Sequence, residues 1–154
     1  TSIPRMSDGG LILIDHFLQD HPNIGLVIID TLAKISDPKT GANVYDEDAA
    51  MGSALHGLAH SRNAAILVVH HTRKLAHGDF LHTVSGSAGF TGTADTVMVL
   101  TRQRNAMNAT LEVTGRDIHE AKFELQWLAA KGGWVQQDTD FRRYASGPTR
   151  RDLA

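Results

Sequence analysis

The first hundred residues alternate between short continuous apolar runs and stretches with apolar residues at helical spacing. Leu26–Ile29 and Ala65–Val69 are continuous runs of the kind found in buried parallel strands. Apolar residues recur at helical spacing over Gly10–Gln19 and Asp48–Arg62, which predicts one helix before the first strand and one between the strands. A strand, a helix and a second strand make a crossover, so the two strands are predicted to be parallel neighbours.

After residue 95 the pattern changes to alternating segments bounded by turn-forming residues. This pattern predicts antiparallel hairpins with strands at Thr96–Thr101, Ala109–Thr114, Ala121–Leu128 and Gly133–Gln136. The connection Ser36–Glu47 is polar and rich in turn formers, which predicts a loop; it either approaches a ligand or is a mobile surface loop. Together these patterns predict an α/β fold.

Polar residues follow each of the two apolar strands. Asp30 and Thr31 follow the first, and His70 and His71 follow the second. Because ligands bind at the carboxyl ends of strands in α/β sheets, Asp30 and His71 are expected at the same sheet edge, close enough to share a ligand. Two structural alternatives stay open: Asp30 as an N-cap or turn residue, and either histidine as a hydrogen-bonded core residue.

Four segments carry a resemblance to a known family: LVIIDTLAKI, VVHHTRK, SGSAGFTGTADTVMVL and VTGRD. In order and spacing they resemble the RecA-like ATPases of the hexameric replicative helicase type, especially the prophage and plasmid RepA-like branch of AAA ATPases. The resemblance implies a RecA-like (P-loop NTPase) core, with a mainly parallel sheet flanked by helices and a C-terminal antiparallel β extension. It also implies a cytoplasmic DNA-dependent ATPase or helicase that binds ATP, Mg²⁺ and single-stranded DNA and assembles into a hexameric ring.

The resemblance assigns roles to the residues after the two strands. Asp30 resembles the Walker B carboxylate that holds Mg²⁺, with Thr31 and His70 beside the nucleotide. His71 resembles the polar sensor that reads the γ-phosphate and signals to the loop that follows. In that loop the resemblance places the DNA-facing residues, which are Arg73, Lys74, Gly86 and Ser87.

An arginine finger is not found at its expected position. Plasmid helicases that resemble this chain carry the finger just before a Gly-Ser pair, where this chain has Val84 and Ser85. The candidates to replace it are Arg73, Arg102, Arg104 and Arg116. Arg102 and Arg104 come first, because they follow a strand that resembles the one after which related hexamers reach toward a neighbour's nucleotide. An ordinary solvated basic turn is the alternative for both.

The chain contains no GxxxxGK[ST] phosphate loop, which the family places before the Walker B strand. Such a loop supplies the backbone N–H groups and the lysine that hold the phosphates. The expected organisation is therefore a partial RecA-like ATPase domain over residues 1–139, Walker B onward, and a basic tail over 140–154. This chain alone is expected to be inactive, with ATPase or helicase activity belonging to the parent protein. The alternative is a non-enzymatic, degenerate RecA-like module for DNA binding or assembly.

Composition sets further bounds. Fifteen basic residues face seventeen acidic ones, so any DNA binding must come from local patches rather than from the overall charge. The absence of cysteine excludes disulfides and thiolate zinc sites and suits a cytosolic location. No apolar run approaches the roughly 20 residues needed to cross a bilayer, so no membrane partner is expected. Trp127 and Trp134 are expected to be packing residues.

Two histidine arrangements suggest a metal site instead. A metallohydrolase could be built from Asp30, His70 and His71, because carboxylate and imidazole groups together bind transition metals. His56 and His60 lie four residues apart on a predicted helix, a spacing at which two imidazoles can share a metal. No Glu lies between them, so the HExxH protease pattern is not met.

Overall fold

The computed structural model describes residues 3–38, 43–72 and 88–137. These residues have a mixed α/β structure with a small parallel sheet and a larger antiparallel sheet. The chain divides into two compact units, residues 1–94 (unit 1) and residues 95–154 (unit 2). The single ATPase domain over residues 1–139 stays a prediction, and the basic tail lies outside the described residues.

Unit 1 carries the two parallel strands and the helices around them. Its elements in chain order are α1 (Leu11–Asp20), β1 (Leu26–Asp30), α2 (Leu32–Ile35), α3 (Val44–Arg62), β2 (Ala65–Val69) and α4 (Ala88–Thr91). β1 pairs with β2 in parallel, with Leu26 opposite Ala65 and Asp30 opposite Val69. The predicted crossover between parallel strands is therefore confirmed.

The core of unit 1 lies between the helices and one face of this sheet. Its buried side chains come from α1, β1, α2, α3 and the turn before β2, and they are Ile14, Leu18, Ile29, Leu32, Ile35, Leu55, Leu58 and Ala64. Val27, Ile66 and Val68 pack against this cluster. The helical spacing of apolar residues in α1 and α3 thus reflects one buried stripe on each helix.

The opposite face of the parallel sheet is apolar but exposed. Leu26, Ile28, Leu67 and Val69 lie on this face, and Ile28 is 59% exposed whereas its neighbour Ile29 is 6% exposed. Side chains alternate between the two faces along a strand, so the continuous apolar run serves both faces. Parallel sheets in α/β proteins are usually covered on both faces.

The boundaries of the helices differ in part from the prediction. α1 is displaced by one residue, and α3 begins at Val44, four residues before the predicted start at Asp48. The loop is therefore shorter than the predicted Ser36–Glu47, because Asp46 and Glu47 belong to the first turn of α3. Their negative charges are stabilising there, beside the positive end of the helix dipole. α3 ends where Asn63 takes a left-handed conformation.

α3 and α4 approach each other closely at Gly52. Gly52 is buried, and a Cβ atom there would collide with the Thr93 hydroxyl and lie 3.4 Å from the Phe90 ring. Thr93 is held by a hydrogen bond from its hydroxyl to the Phe90 carbonyl, with an oxygen-to-oxygen distance of 2.7 Å. Phe90 itself packs against the core of unit 1.

Unit 2 contains four antiparallel strands, which are β3 (Thr96–Thr101), β4 (Asn108–Gly115), β5 (Ala121–Leu128) and β6 (Gly133–Gln136). They pair in sequence order. Every predicted strand is confirmed, three of them at the predicted bounds, because short turns let neighbouring strands pair directly. Between β5 and β6, the turn passes through Gly132 at a φ of +59°, which glycine adopts without strain.

The predicted fold class is confirmed in part: the described strands form a small parallel sheet and an antiparallel sheet in a mixed α/β structure, and a RecA-like core stays a prediction. Four of the six described strands form an antiparallel sheet of their own, separate from β1 and β2. The hairpins explain this result, because strands joined by short turns pair antiparallel and need no covering helices between them. Among the described residues, no helix is both long and apolar enough to cross a membrane.

Candidate functional site

The candidate site is the carboxyl end of the parallel strands, where β1 ends in Asp30. The Asp30 side chain is exposed, and within the described part of the chain its carboxylate makes no hydrogen bond or ion pair. The peptide bond between Asp30 and Thr31 is cis. A free, exposed carboxylate at a strand end is chemically suited to bind a hard cation such as Mg²⁺, directly or through water.

Asp30 is not a helix cap. The N-cap of α2 is Thr31, and neither its hydroxyl nor the Asp30 carboxylate caps the helix. The backbone N–H of Lys34 instead donates to the Thr31 carbonyl at 2.9 Å. Of the two structural alternatives for Asp30, the N-cap role is therefore excluded, and the carboxylate is available for another partner.

Lys34 supplies a cation next to this strand end. Its ammonium group donates a hydrogen bond to the backbone carbonyl of Asp30, with a nitrogen-to-oxygen distance of 3.1 Å. α2 follows β1 after one residue, so the turn of this short helix returns Lys34 to the strand. The sequence prediction missed this residue, although a basic residue four positions after a strand-ending Asp was a usable signal.

His70 and His71 leave the sheet beside Asp30. Because Asp30 lies opposite Val69, the two histidines extend one and two residues beyond it at the same sheet edge. His70 is half-buried, and its Nδ1 lies 2.8 Å from the His71 carbonyl oxygen. A carbonyl only accepts, so Nδ1 carries the proton and Nε2 of the neutral ring is left as an acceptor. His71 is exposed.

The register thus confirms that Asp30 and the histidines share one sheet edge. That they lie close enough to share a ligand stays a prediction. The core-histidine alternative finds support at His70, which is half-buried and hydrogen-bonded through its ring, but not at the exposed His71.

The metallohydrolase alternative finds no support in the described part of the chain. Within residues 3–38, 43–72 and 88–137, no group of three His, Asp or Glu side chains is arranged to hold a metal ion, so Asp30, His70 and His71 do not form such a set. On α3, the His56 and His60 rings do lie together, with centroids 4.8 Å apart.

Other predicted site residues are placed only in part. Arg102 and Arg104 are exposed and belong to unit 2, in the turn after β3. The Arg102 guanidinium lies 5.9 Å from the centre of the Trp134 ring. Their role as an arginine finger stays a prediction. The predicted DNA-facing residues Arg73, Lys74, Gly86 and Ser87 lie outside the described residues.

A buried carboxylate in α3 was also missed. Asp48 is 3% exposed, and it shares the inward-facing stripe of α3 with Gly52 and Leu55. A charged residue is rarely fully buried, so its position marks a constrained point in the packing of unit 1. Asp48, Gly52 and Leu55 are four and three residues apart, a spacing that places them on one face of a helix and that could have predicted the burial of Asp48. Because Asp48 was predicted to begin the helix, this position on the buried face was not recognised.

Residues 5–77 match the sequence model of a family described as an AAA domain. The match covers slightly less than half of the chain and includes β1, β2 and the polar residues after them. It supports an AAA or P-loop ATPase-like family and indicates an ATPase-related domain with nucleotide-binding character. Domains of this type generally use ATP and Mg²⁺. No curated protein gives a significant match to the chain.

Proposed function

We propose that this chain is the latter part of a RecA-like, DNA-dependent ATPase of the replicative helicase type. The observation that carries the proposal is the parallel register of β1 and β2, which aligns Asp30 and the two histidines at one sheet edge within the region that matches an AAA domain. Such an edge is where α/β proteins bind nucleotides.

In this proposal the carboxylate of Asp30 holds the Mg²⁺ ion of bound ATP, directly or through water. Its exposure and its freedom from hydrogen bonds support this role. Lys34 is a positioning residue: its bond to the Asp30 carbonyl holds the strand end and adds positive charge beside the phosphates. Thr31 and the Nε2 atom of His70 provide polar contacts for the nucleotide.

His71 is the proposed γ-phosphate sensor. It lies at the start of the segment that leads to Arg73, Lys74, Gly86 and Ser87, the proposed contacts to single-stranded DNA. A histidine there can change partners when the phosphate is released and so alter the path of that segment. Arg102 or Arg104 would act as the finger toward a neighbouring subunit of a hexameric ring.

A second candidate is a non-enzymatic module for DNA binding and assembly. The observation that favours it is the absence of a GxxxxGK[ST] phosphate loop from these 154 residues. Without that cradle, an ion on Asp30 does not hold the β- and γ-phosphates. In this case the DNA-binding segment and the surfaces for assembly would remain, and Asp30 would have a structural role.

The test measures ATP hydrolysis by the 154-residue chain and by the full-length product of its reading frame, with and without single-stranded DNA. Asp30→Ala and His71→Ala are compared in both backgrounds, and circular dichroism establishes that each variant is folded. Activity confined to the full-length product, stimulated by DNA and lost in both variants, is the expected result.

Two other outcomes would contradict the proposal. Robust, Asp30-dependent turnover by the 154-residue chain would show that the site is complete without a phosphate loop. An inert full-length product that still binds single-stranded DNA would favour the non-enzymatic module instead.

A further inference from the structure

Unit 2 carries a second surface with the chemistry of nucleic-acid recognition. It lies at the end of the antiparallel sheet where β3 ends, β4 begins and the turn from β5 leads into β6. We call this surface the Trp–Arg end; its residues are Arg102, Arg104, Trp127, Lys131 and Trp134. All five lie in described parts of unit 2.

The two tryptophans form a cross-strand pair. Trp127 on β5 lies directly opposite Trp134 on β6, so both rings stand on the same face of the sheet. Their centroids are 5.4 Å apart in an edge-to-face arrangement, which is the favourable geometry for an aromatic pair. Both residues are half-buried rather than buried, so the pair lies partly at the surface.

Arg102 extends toward this pair from β3, which lies at the opposite edge of the sheet from β6. β3 and β6 are the two outer strands, yet the Arg102 guanidinium lies 5.9 Å from the Trp134 centroid. Its side chain must therefore extend across the sheet face. Ala109, whose small side chain is buried in β4 between these strands, leaves room for it. A guanidinium over an indole is a cation–π contact, and its outer N–H groups stay free to donate.

Every charged residue in the two described turns at this end is basic. The turn between β3 and β4 reads RQRNAM, and the turn between β5 and β6 reads AAKG, with no Asp or Glu in either. Arg102, Arg104 and Lys131 are exposed. The opposite end of the same sheet differs: there Arg116 is paired with Asp95, with a nitrogen-to-oxygen distance of 3.2 Å. Among the described residues of unit 2, Arg102, Arg104 and Lys131 have no ion-pair partner, whereas Arg116 and Lys122 each have one.

We propose that the Trp–Arg end binds single-stranded nucleic acid. A base stacks on the exposed part of the Trp134 and Trp127 pair, and the three cations contact the flanking phosphates. Stacking on aromatic rings together with backbone neutralisation is the general means of holding single strands without sequence preference. A duplex offers no unstacked base, so it contacts only the cations. The sequence alone suggested packing for the tryptophans, and the structure adds their partial exposure and the cation beside them.

This surface does not include Asp30, His70 or His71, because it stands on unit 2 alone, but it shares Arg102 and Arg104 with the proposed arginine finger. Its test measures DNA binding without ATP and therefore does not depend on the finger role. The surface gives the proposed DNA-dependent ATPase a second contact for its single-stranded partner. The inference would survive the failure of that proposed function, and the proposed function would survive the failure of this inference.

The chain contains only two tryptophans, both at the Trp–Arg end, so intrinsic fluorescence reports on this surface alone. The experiment titrates the 154-residue chain with an oligothymidine of roughly 15 nucleotides, within the span that one single-strand-binding domain covers. Tryptophan emission and the anisotropy of a labelled oligonucleotide are recorded together. Quenching that saturates at the same concentration as the anisotropy is expected, and a duplex of equal length should quench far less.

The decisive variant is Arg102→Ala/Arg104→Ala/Lys131→Ala, which leaves both tryptophans in place. The variant and its reference chain both carry Arg73→Ala/Lys74→Ala, which removes the cations of the other proposed DNA-binding segment. With three phosphate contacts at the Trp–Arg end, a fourfold increase in salt should then weaken binding by the reference chain roughly twentyfold, and the variant should lose most of this dependence. Its affinity should fall at least about tenfold. The matched control is Arg116→Ala/Lys122→Ala on the same sheet, for which affinity should change less than about twofold.

A single conservative variant separates stacking from charge. Arg102→Lys keeps the charge but loses the planar group, so it should retain the salt dependence while reducing the quenching. Anisotropy without any quenching would place the DNA elsewhere on the chain and overturn the inference. Equal losses in the Arg102/Arg104/Lys131 variant and in the control variant would overturn it as well, because binding would then depend on overall charge.

Discussion

Asp15 and Arg62 form a two-point ion pair that joins the middle of α1 to the last residue of α3. The Nε atom of Arg62 lies 2.6 Å from Oδ1 of Asp15, and Nη2 lies 2.9 Å from Oδ2. The hydrogen bonds from Arg62 hold the pKa of Asp15 below its ordinary value, and the same bonds raise the pKa of Arg62. A planar guanidinium matches a carboxylate in this way, which fixes the relative position of two core helices.

The pair should make the stability of the chain depend on pH. Asp15→Asn is expected to lower the Tm at neutral pH, because it removes the carboxylate that Arg62 binds. A lowered folded pKa means that the contribution is present above the ordinary aspartate value of about 3.9 and is lost as pH falls through the lower, folded value. Thermal unfolding of wild type and variant from pH 7 down to pH 2.5 measures this difference, which should close at the acid end.

Asp20→Asn is the matched control for that measurement. Asp20 is exposed at the C-terminal end of α1, where its negative charge is unfavourable beside the negative end of the helix dipole. Removing this charge should therefore leave the Tm unchanged or slightly raised. An Asp15→Asn difference that stays constant at every pH would show that packing, rather than the ion pair, causes the effect.

Gly52 and Gly57 should respond in opposite directions to alanine. Gly52→Ala places a methyl group against Thr93 and Phe90 and should destabilise the chain by about 1–3 kcal/mol. A Cβ at Gly57, in the same helix, meets nothing within 4 Å, so Gly57→Ala should stabilise by about 0.5–1 kcal/mol through lower unfolded-state entropy. Urea denaturation of both variants gives the two signs, and two stabilised variants would rule out close packing at Gly52.

Ile28 and Ile29 are neighbours on β1 that should differ greatly in their contribution to stability. Ile29→Ala empties a buried core position and should cost about 2–5 kcal/mol. Ile28→Ala acts on the exposed face and should change stability by about 0.5 kcal/mol or less. Chemical denaturation checks both values. A large cost at Ile28 would mean that its side chain is covered in solution.

Lys34 should matter for turnover more than for folding. In a full-length product that hydrolyses ATP, Lys34→Met removes the hydrogen bond to the Asp30 carbonyl and should reduce kcat about tenfold, as is typical of residues that position a metal ligand. Lys34→Arg keeps a cation and should recover most of the activity. If both variants match wild type in kcat and in Mg²⁺ dependence, Lys34 has no positioning role.

Most helices and strands of this chain could be predicted from the sequence, because each depends on a short pattern of apolar and polar residues. Continuous apolar runs predicted β1 and β2, and alternation between turn formers predicted all four strands of unit 2. The crossover rule predicted that β1 and β2 are parallel, and this register aligned Asp30 with the histidines. The start of α3 at Val44 was missed, because three acidic residues, Asp46, Glu47 and Asp48, separate Val44 and Tyr45 from the apolar periodicity that follows.

Sequence by itself thus determined the strands, their pairing and the sheet edge at which the polar residues collect, because strand direction and periodicity are local properties. Only the tertiary structure decided which face of β1 is buried, since both faces are apolar in sequence and helices cover one of them. It likewise decided that Arg62 meets Asp15 and that Arg102 meets Trp134. Those contacts join residues far apart in the chain, and their distances are set by how the elements pack rather than by any local pattern.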